Sequence, residues 1–273
     1  MENNISAFFD LDNTVIRGSS MFHLARGLVG ENFLSRRDLL QFAYKEYKFI
    51  WTRTESRADR NGICVRGLTL IKGLEQAEME ALCERIVSNF LPQSLNPQML
   101  QQIRHHQSRN TQTWLITASP IEVALPIAKS LGMNGAIATQ LETLEGRYTG
   151  QLLDGLMHGA RKSEAVIRLA SHNNIDLDKS FAYSDSESDL PLLSLVRFPN
   201  VVNPNVNLLR LARKNRWPIW ESSRLDASHS IPNVLREVIS HEDHPWFRCS
   251  EKPNGDLVRQ SRLDMHTFLF RVI

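Results

Sequence analysis

The sequence predicts an α/β protein in which a parallel sheet carries helices on both faces. Apolar runs with the length and composition of buried strands recur at residues 5–9, 112–116, 136–139, 181–183 and 199–202. Helical patterns separate most of these runs, at residues 97–108, 120–132, 161–173 and 204–215. This alternation favours a parallel sheet, because each helix returns the chain to the edge at which the next strand begins.

Turn and capping residues predict where several of these elements begin. The run Ser119–Glu122 (Ser-Pro-Ile-Glu) predicts a helix start in which the serine caps the helix and the glutamate completes a capping box. Asn96, which a proline follows, predicts a similar start. Residues 140–153 place a Glu-Gly pair between two alternating segments, which predicts a hairpin insertion. Asn203, also followed by proline, predicts a loop that caps the next helix.

Composition narrows the class of protein and its partners. Hydrophobic residues make up 42% and charged residues 23% of the 273 residues, which is typical of a globular protein. The net charge of +2 is too small to indicate a nucleic-acid surface. The sequence has no apolar run of membrane-spanning length, and its first residues lack the pattern of a signal peptide. We therefore expect a cytoplasmic protein without a membrane partner, and the sequence leaves the oligomeric state open.

The cysteine pattern agrees with the expected cytoplasmic location. The three cysteines, Cys64, Cys83 and Cys249, are widely spaced and form no Cys-x-x-Cys pair. Their odd number and spacing predict free or buried thiols in a reducing compartment rather than a disulfide framework.

The region between the first and second predicted strands differs from the rest of the chain. Helical periodicity dominates residues 18–96, although a short crossover would be enough to connect the two strands. Within this region, residues 41–51 carry a stripe of five aromatic side chains. Such a stripe is typical of core packing, and a substrate pocket is the alternative.

Two aspartates follow the first predicted strand. In Asp10-Leu-Asp12-Asn-Thr14 the carboxylates are two residues apart, so an extended backbone points them to the same side. Crowded carboxylates repel each other unless a cation or a shared proton relieves them, and Mg²⁺ is a natural partner for such oxygens. One aspartate can then attack phosphorus while the other moves protons. The alternative is a turn rich in Asp and Asn.

Three further motifs follow in a fixed order. Thr117 comes at the end of a strand-like run, Lys162 begins a helical pattern, and Asp185 and Asp189 follow another strand-like run. The series Asp-x-Asp-x-Thr, Thr, Lys and Asp-x-x-x-Asp resembles the haloacid dehalogenase (HAD) superfamily of phosphatases. It is most similar to the phosphoserine-phosphatase-like branch, subfamily IB, and the resemblance covers about residues 5–220.

The resemblance implies a fold and a division of the chain. We expect a Rossmann-like, three-layer α/β core with a parallel sheet and an inserted all-helical cap of the C1 type. Residues 1–17 and 97–222 would form the core domain, and residues 18–96 would form the cap. Residues 223–273 would be an extension whose role the resemblance leaves open.

The resemblance also implies roles at the site. Asp10 would be the nucleophile that forms an aspartyl-phosphate, and Asp12 would be the general acid and then the general base. Mg²⁺ would be bound by Asp10, by the backbone carbonyl of Asp12 and by Asp185. A general acid–base group typically contributes a factor of ~10²–10⁴ to the rate.

The remaining predicted residues support these groups. Thr117, Ala118 and Lys162 would bind the phosphoryl group, through a hydroxyl, backbone N–H groups and a positive charge. Thr14 and Asp189 would contact the metal ligands without binding the metal themselves. Asp189 would orient those ligands or pair with Lys162.

The sequence departs from the phosphoserine phosphatase pattern where the substrate would bind. Those enzymes carry a glutamate for the substrate amino group at the position of Ser19, where this chain also has Arg17 nearby. They carry an asparagine at the position of Ser188. A neutral or positive site does not favour L-phosphoserine, and Arg66 is a candidate anchor for a substrate carboxylate.

The predicted function is a Mg²⁺-dependent phosphomonoesterase that acts on a small phosphate ester. One alternative is a phosphotransferase, in which an alcohol replaces water as the acceptor. The other is a phosphate-binding module without turnover. Asp12 argues against that module, because binding alone needs no general acid.

Overall fold

Six parallel strands form the centre of the protein. The computed structural model describes residues 4–34 and 67–221, which belong to the first of two units of the chain, residues 1–235. The strands are β1 (Ser6–Asp10), β2 (Gln112–Pro120), β3 (Gly135–Thr139), β4 (Leu141–Leu144), β5 (Arg147–Leu152), β6 (Phe181–Ser184), β7 (Phe198–Val202) and β8 (Ile219–Trp220). The sheet order is β3-β2-β1-β6-β7-β8, and β4 and β5 form a separate antiparallel hairpin. The predicted parallel α/β fold is confirmed.

Helices cover both faces of this sheet. They are α1 (Ser20–Gly30), α2 (Gln76–Ser94), α3 (Pro97–Ser108), α4 (Ile121–Ser130), α5 (Ala160–Asn173), α6 (Leu190–Leu193) and α7 (Val206–Asn215). Adjacent residues of β1 point to opposite faces, so Phe9 packs in one apolar cluster and Phe8 in the other. The first cluster is completed by α2, α3 and α4, and the second by α5, α6 and α7. Because every residue of β1 is buried, both layers exclude water from the central strand.

The two ends of the helical region lie side by side. Ile16 and Leu95 form an antiparallel bridge. The Arg17 N–H donates to the Ser94 carbonyl at 2.7 Å, and the Asn96 N–H donates to the Val15 carbonyl at 2.9 Å. Chain that leaves the sheet near residue 17 therefore returns beside its point of departure, as an inserted region requires.

The described part of the helical region also packs on the sheet layer. Ile86 and Val87 of α2 lie in the same apolar cluster as Val123 and Ile127 of α4. Helix α2 is thus part of the continuous core on that face. The division into a core at 1–17 and 97–222 and a cap at 18–96 stays a prediction.

Several local predictions are confirmed. Asn96 caps α3 by accepting the Gln98 N–H at 3.1 Å. The hairpin turns at Glu145 and Gly146, whose φ values of 50° and 76° lie in the left-handed region that this turn needs.

Two capping predictions are wrong. Helix α4 begins at Ile121 without a side-chain cap, because β2 continues to Pro120 and the Ser119 hydroxyl bonds elsewhere. Asn205, rather than Asn203, caps α7. The Asn203 side chain instead donates to the Asn13 carbonyl at 3.0 Å.

Some predictions fall outside the described residues. These are the aromatic stripe at 41–51, Arg66, and the extension at 223–273. Within residues 4–34 and 67–221, no helix is both long enough and apolar enough to cross a lipid bilayer.

Candidate active site

The carboxyl ends of three neighbouring strands bring the predicted residues together. Asp10 ends β1 and pairs in register with Ile116 of β2, so Thr117 lies one residue beyond it. On the other side, Phe9 pairs with Tyr183 of β6, two residues before Asp185. The chain turns from one half of the sheet to the other between β1 and β6, since β2 and β3 lie to one side and β7 and β8 to the other. Open α/β sheets bind ligands at such a switch point.

A buried lysine joins two of the aspartates. The Lys162 ammonium donates to Asp10 Oδ1 at 2.6 Å and to Asp189 Oδ2 at 2.7 Å. Burial opposes the charged form of the lysine, but Asp10 and Asp189 beside it raise the pKa of Lys162. Burial raises the pKa of Asp10, the Lys162 ammonium opposes this, and Asp189 and Asp12 add to it. Lys162 is therefore a permanent cation that offsets part of the negative charge here.

The backbone before α5 positions Lys162. Gly159 precedes the helix with φ 60° and ψ −127°, a conformation in which a side chain would be strained. Because Lys162 is the third residue of the helix, its side chain leaves the first turn and reaches the strand ends. The predicted position of Lys162 at a helix start is confirmed.

Asp185 has a different environment from Asp189. In the described part of the chain, the Asp185 carboxylate has no hydrogen-bond or ion-pair partner, although it is half-buried. Burial, and then the nearby Asp10 and Asp189, raise the pKa of Asp185 well above its usual range. Asp189 is fully buried, and its Oδ2 also accepts the Ser184 hydroxyl at 2.7 Å. Its second oxygen, Oδ1, has no partner among the described residues.

These oxygens fit a hard divalent cation. Asp10, Asp12, Asp185 and Asp189 supply four carboxyl groups near one ammonium, so negative charge is in excess. Among residues 4–34 and 67–221, no three His, Cys, Asp or Glu side chains form a metal-binding group. The predicted set needs only the Asp10 and Asp185 carboxylates and one backbone carbonyl. Mg²⁺ would relieve the repulsion between the unpaired Asp185 carboxylate and the neighbouring Asp10 carboxylate.

Asp12 lies at the start of α1. Its Oδ1 accepts the Ser20 N–H at 2.7 Å, so the carboxylate occupies the positive end of that helix. Burial raises the pKa of Asp12, while the N–H and hydroxyl of Ser20 oppose the rise. The intervening loop closes on itself, because the Asn13 N–H donates to the Gly18 carbonyl and the Gly18 N–H donates to Asn13 Oδ1. This closed loop fixes Asp12 relative to Asp10.

The predicted phosphate-binding residues lie in an irregular part of β2. Pairing between β2 and β3 shifts register between Ile116 and Pro120. β1 has already ended, so the backbone at Thr117 and Ala118 leaves the regular ladder where a ligand would approach. The Ala118 carbonyl accepts the Thr139 hydroxyl at 2.6 Å. The Thr117 hydroxyl accepts the Ser119 N–H at 3.1 Å, which holds the irregular segment in place.

Other predicted residues take supporting places. Thr14 is fully buried, and its carbonyl accepts the Asn96 side chain at 3.1 Å. Ser19 is the N-cap of α1, where its hydroxyl accepts the Phe22 N–H at 3.3 Å. The Arg17 guanidinium donates to the Gln93 carbonyl at 3.0 Å.

The sequence interpretation missed three serines of this region. Ser184 supports Asp189, whereas Ser20 and Ser119 bond to each other. Ser184 directly precedes the Asp185 motif, which is a usable signal. The Ser20–Ser119 contact joins residues 99 positions apart, so no local pattern indicates it.

Comparison with known proteins agrees with this fold. The sequence model of the haloacid dehalogenase-like hydrolase family matches residues 7–194. A Mycobacterium tuberculosis protein named phosphoserine phosphatase SerB1 is 37% identical over 232 residues, which cover 84% of this chain and 75% of that protein.

Solved structures share the architecture. A protein of unknown function from Bordetella pertussis is 27% identical with a TM-score of 0.68, and the match covers 79% of this chain and 97% of that one. A substrate-bound phosphoserine phosphatase is 16% identical with a TM-score of 0.57, and the match covers 88% of this chain and 99% of that one. At that identity the second likeness shows the fold alone.

The parallel sheet and the aspartate–lysine centre at its strand ends define an enzyme of the α/β class. The chain belongs to the haloacid dehalogenase-like hydrolase family. The predicted family resemblance is confirmed.

Proposed function

We propose that this protein is a Mg²⁺-dependent phosphomonoesterase that hydrolyses a small phosphate ester through an aspartyl-phosphate on Asp10. The observation that carries the proposal is the Lys162 bridge between Asp10 and Asp189, beside the unpaired Asp185. A buried cation next to a carboxylate nucleophile suits a reaction that brings in a dianionic phosphate. The 37% identical relative named as a phosphatase supports the same chemistry.

Each residue has a task in this proposal. Asp10 attacks phosphorus and the ester oxygen leaves as Asp12 protonates it. Asp12 then takes a proton from a water that attacks the same phosphorus, the bond between phosphorus and Asp10 breaks, and inorganic phosphate is released. Lys162, Thr117 and the backbone at Ala118 hold the phosphoryl oxygens. The Asp10 and Asp185 carboxylates and the Asp12 carbonyl would hold Mg²⁺, which when bound would supply positive charge for the phosphoryl group.

We also propose that residues 18–96 enclose the substrate as a cap. The paired ends of this region at Ile16 and Leu95 support an insertion at this point. Cys83 is a buried free thiol, which suits the proposed cytoplasmic location.

The test is phosphate release from a panel of metabolite phosphates with Mg²⁺, comparing the wild type with Asp10→Asn. An amide cannot form the acyl-phosphate, so we expect kcat to fall at least ~10⁴-fold. Asp154→Asn, at an exposed aspartate outside the site, is the matched control and should keep wild-type turnover. Acid-quenched protein should carry labelled phosphate in the wild type and in Asp154→Asn only. Near-normal turnover by Asp10→Asn would remove Asp10 as the nucleophile.

We further propose that L-phosphoserine is a weaker substrate than a neutral or acidic phosphate ester. Ser19 caps a helix where a carboxylate for the substrate amine would be needed, and Arg17, two residues earlier, carries a positive charge. A buried ammonium without its partner typically loses ~2–5 kcal/mol. The ranking of kcat/KM across the panel measures this, and L-phosphoserine in first place would contradict it.

A further inference from the structure

Two buried serine hydroxyls connect the loops that carry the predicted catalytic residues. Ser20 Oγ and Ser119 Oγ are 2.6 Å apart, and the two residues are 0% and 3% exposed. Ser20 is the first residue of α1, and Ser119 lies near the end of β2. Burying hydroxyls costs free energy unless they are hydrogen-bonded, so this pair stabilises one relative placement of the two segments.

Each serine is also bonded to a site residue on its own segment. The Ser20 N–H donates to Asp12 Oδ1 at 2.7 Å, and the Ser119 N–H donates to Thr117 Oγ1 at 3.1 Å. A continuous chain of contacts therefore runs from Asp12 through Ser20 and Ser119 to Thr117. It joins the group that protonates the leaving oxygen to the group that holds the phosphate.

Neither hydroxyl is used by the helix next to it. Ser19, not Ser20, caps α1. Helix α4 has no side-chain cap, although Ser119 lies two residues before its start. The hydroxyl pair is therefore a tertiary contact rather than a by-product of helix capping.

We propose that Ser20 and Ser119 are positioning residues that hold the Asp12 carboxyl where it reaches the leaving oxygen of the substrate. This inference rests on the proposed phosphatase function. Loss of either hydroxyl removes this contact between the two segments, and the start of α1 then shifts together with the Asp12 carboxylate, to which the N–H and the hydroxyl of Ser20 are bonded. The phosphate site should change less, because Thr117 is held by the backbone N–H of residue 119, which an alanine retains.

Two aryl phosphates of similar shape test this idea. p-Nitrophenol is a good leaving group and needs little protonation, whereas phenol depends more on the general acid. For Ser20→Ala and for Ser119→Ala, we expect kcat/KM for phenyl phosphate to fall about tenfold more than kcat/KM for p-nitrophenyl phosphate. The double variant should show the same ratio as Ser20→Ala, because Ser119 acts on Asp12 through Ser20.

Ser180→Ala is the matched control. Ser180 is fully buried and bonds the Ser6 N–H and the Asp176 carbonyl, but it lies at the opposite end of β6 from the site. It should lower the thermal unfolding midpoint without changing the ratio between the two esters. If Ser20 and Ser119 had only a structural role, their variants would lower kcat/KM for both esters by the same factor, and that result would overturn the inference.

The outcomes separate this inference from the function on which it rests. If the wild type hydrolyses neither ester, or Asp10→Asn hydrolyses both, the proposed function fails and the inference falls with it. If turnover depends on Asp10 but the ratio stays unchanged in both serine variants, only the inference fails. Ser119→Ala carries the test alone if Ser20→Ala does not fold.

Discussion

Two regions of this molecule bury carboxyl groups, and they differ in the partner each supplies. At the strand ends, the side chains of Asp10 and Asp189 are 8% and 1% exposed and share the Lys162 ammonium. Beside the hairpin, Glu122 at the start of α4 is 6% exposed, and its Oε1 accepts the Tyr148 hydroxyl at 2.9 Å. One region compensates charge with charge, whereas the other gives a carboxyl group a neutral hydrogen bond.

The consequence is a difference in what opposes the cost of burying each carboxyl group. Burial raises the pKa of Glu122, and the Tyr148 hydrogen bond only partly opposes the rise. Burial, and then the nearby Glu122 and Glu80, also raise the pKa of the Cys83 thiol, so burial and carboxyl groups act in the same direction on this thiol. The hairpin is thus attached by a carboxyl group whose ionisation is opposed by burial, while the site retains the positive charge of Lys162. In this protein Lys162 distinguishes the carboxyl groups at the strand ends from Glu122, whose partner is a neutral hydroxyl.

The largest effect is expected when the charged region is broken at the two aspartates of its last motif, Asp185 and Asp189. Asp189→Ala removes a counter-charge from a buried ammonium and leaves Ser184 without its acceptor. We expect it to lower the free energy of unfolding by about 3–5 kcal/mol. Asp185→Ala removes a carboxylate that is opposed by burial and by Asp10, so it should not lower the free energy of unfolding at neutral pH. Urea unfolding in EDTA measures both values.

The metal dependence of the same variants should rank in the opposite order. Because Asp185 is a proposed direct ligand, Asp185→Ala should raise the Mg²⁺ concentration for half-maximal activity by more than ~100-fold. Asp189→Ala should raise it by only about tenfold, because it acts through neighbouring groups. Full wild-type activity in excess EDTA would rule out the metal. If Asp185→Ala is as destabilising as Asp189→Ala, the two roles have been assigned incorrectly.

The charged region was largely predictable from the sequence, for a physical reason. Side chains at the carboxyl ends of parallel strands share one edge, so Asp10, Thr117 and Asp185 were expected together once their strands were recognised. The short strand β8, at Ile219–Trp220, was not predicted because two residues carry no periodic signal.

Contacts that depend on tertiary pairing were not predictable in the same way in either region. Glu122 and Ser119 match a local capping rule, yet the structure uses both for tertiary contacts, with Tyr148 and Ser20 respectively. The register shift after Ile116 is also invisible locally, because it depends on which strands pair. Local rules compete with tertiary contacts at these positions, and the tertiary contacts prevail.

The smallest expected effect sharpens the comparison at Glu122. A carboxyl group whose pKa is raised by folding binds more protons in the folded than in the unfolded state, between its usual pKa and the raised one. Its contribution to stability is therefore present at low pH and is lost as pH rises through that window.

Glu122→Gln keeps an oxygen for Tyr148 and cannot titrate. Below the window, its free energy of unfolding should lie within about 1 kcal/mol of the wild type. As pH rises, the wild type should lose stability relative to the variant, while Asp10, whose pKa is also raised, contributes equally to both proteins. Urea unfolding across the acidic to neutral range measures this difference, with the exposed Glu145→Gln of the hairpin turn as control. Parallel curves for Glu122→Gln and the wild type would show that Glu122 ionises as freely in the folded protein as in water, and the contrast between the two regions would then disappear.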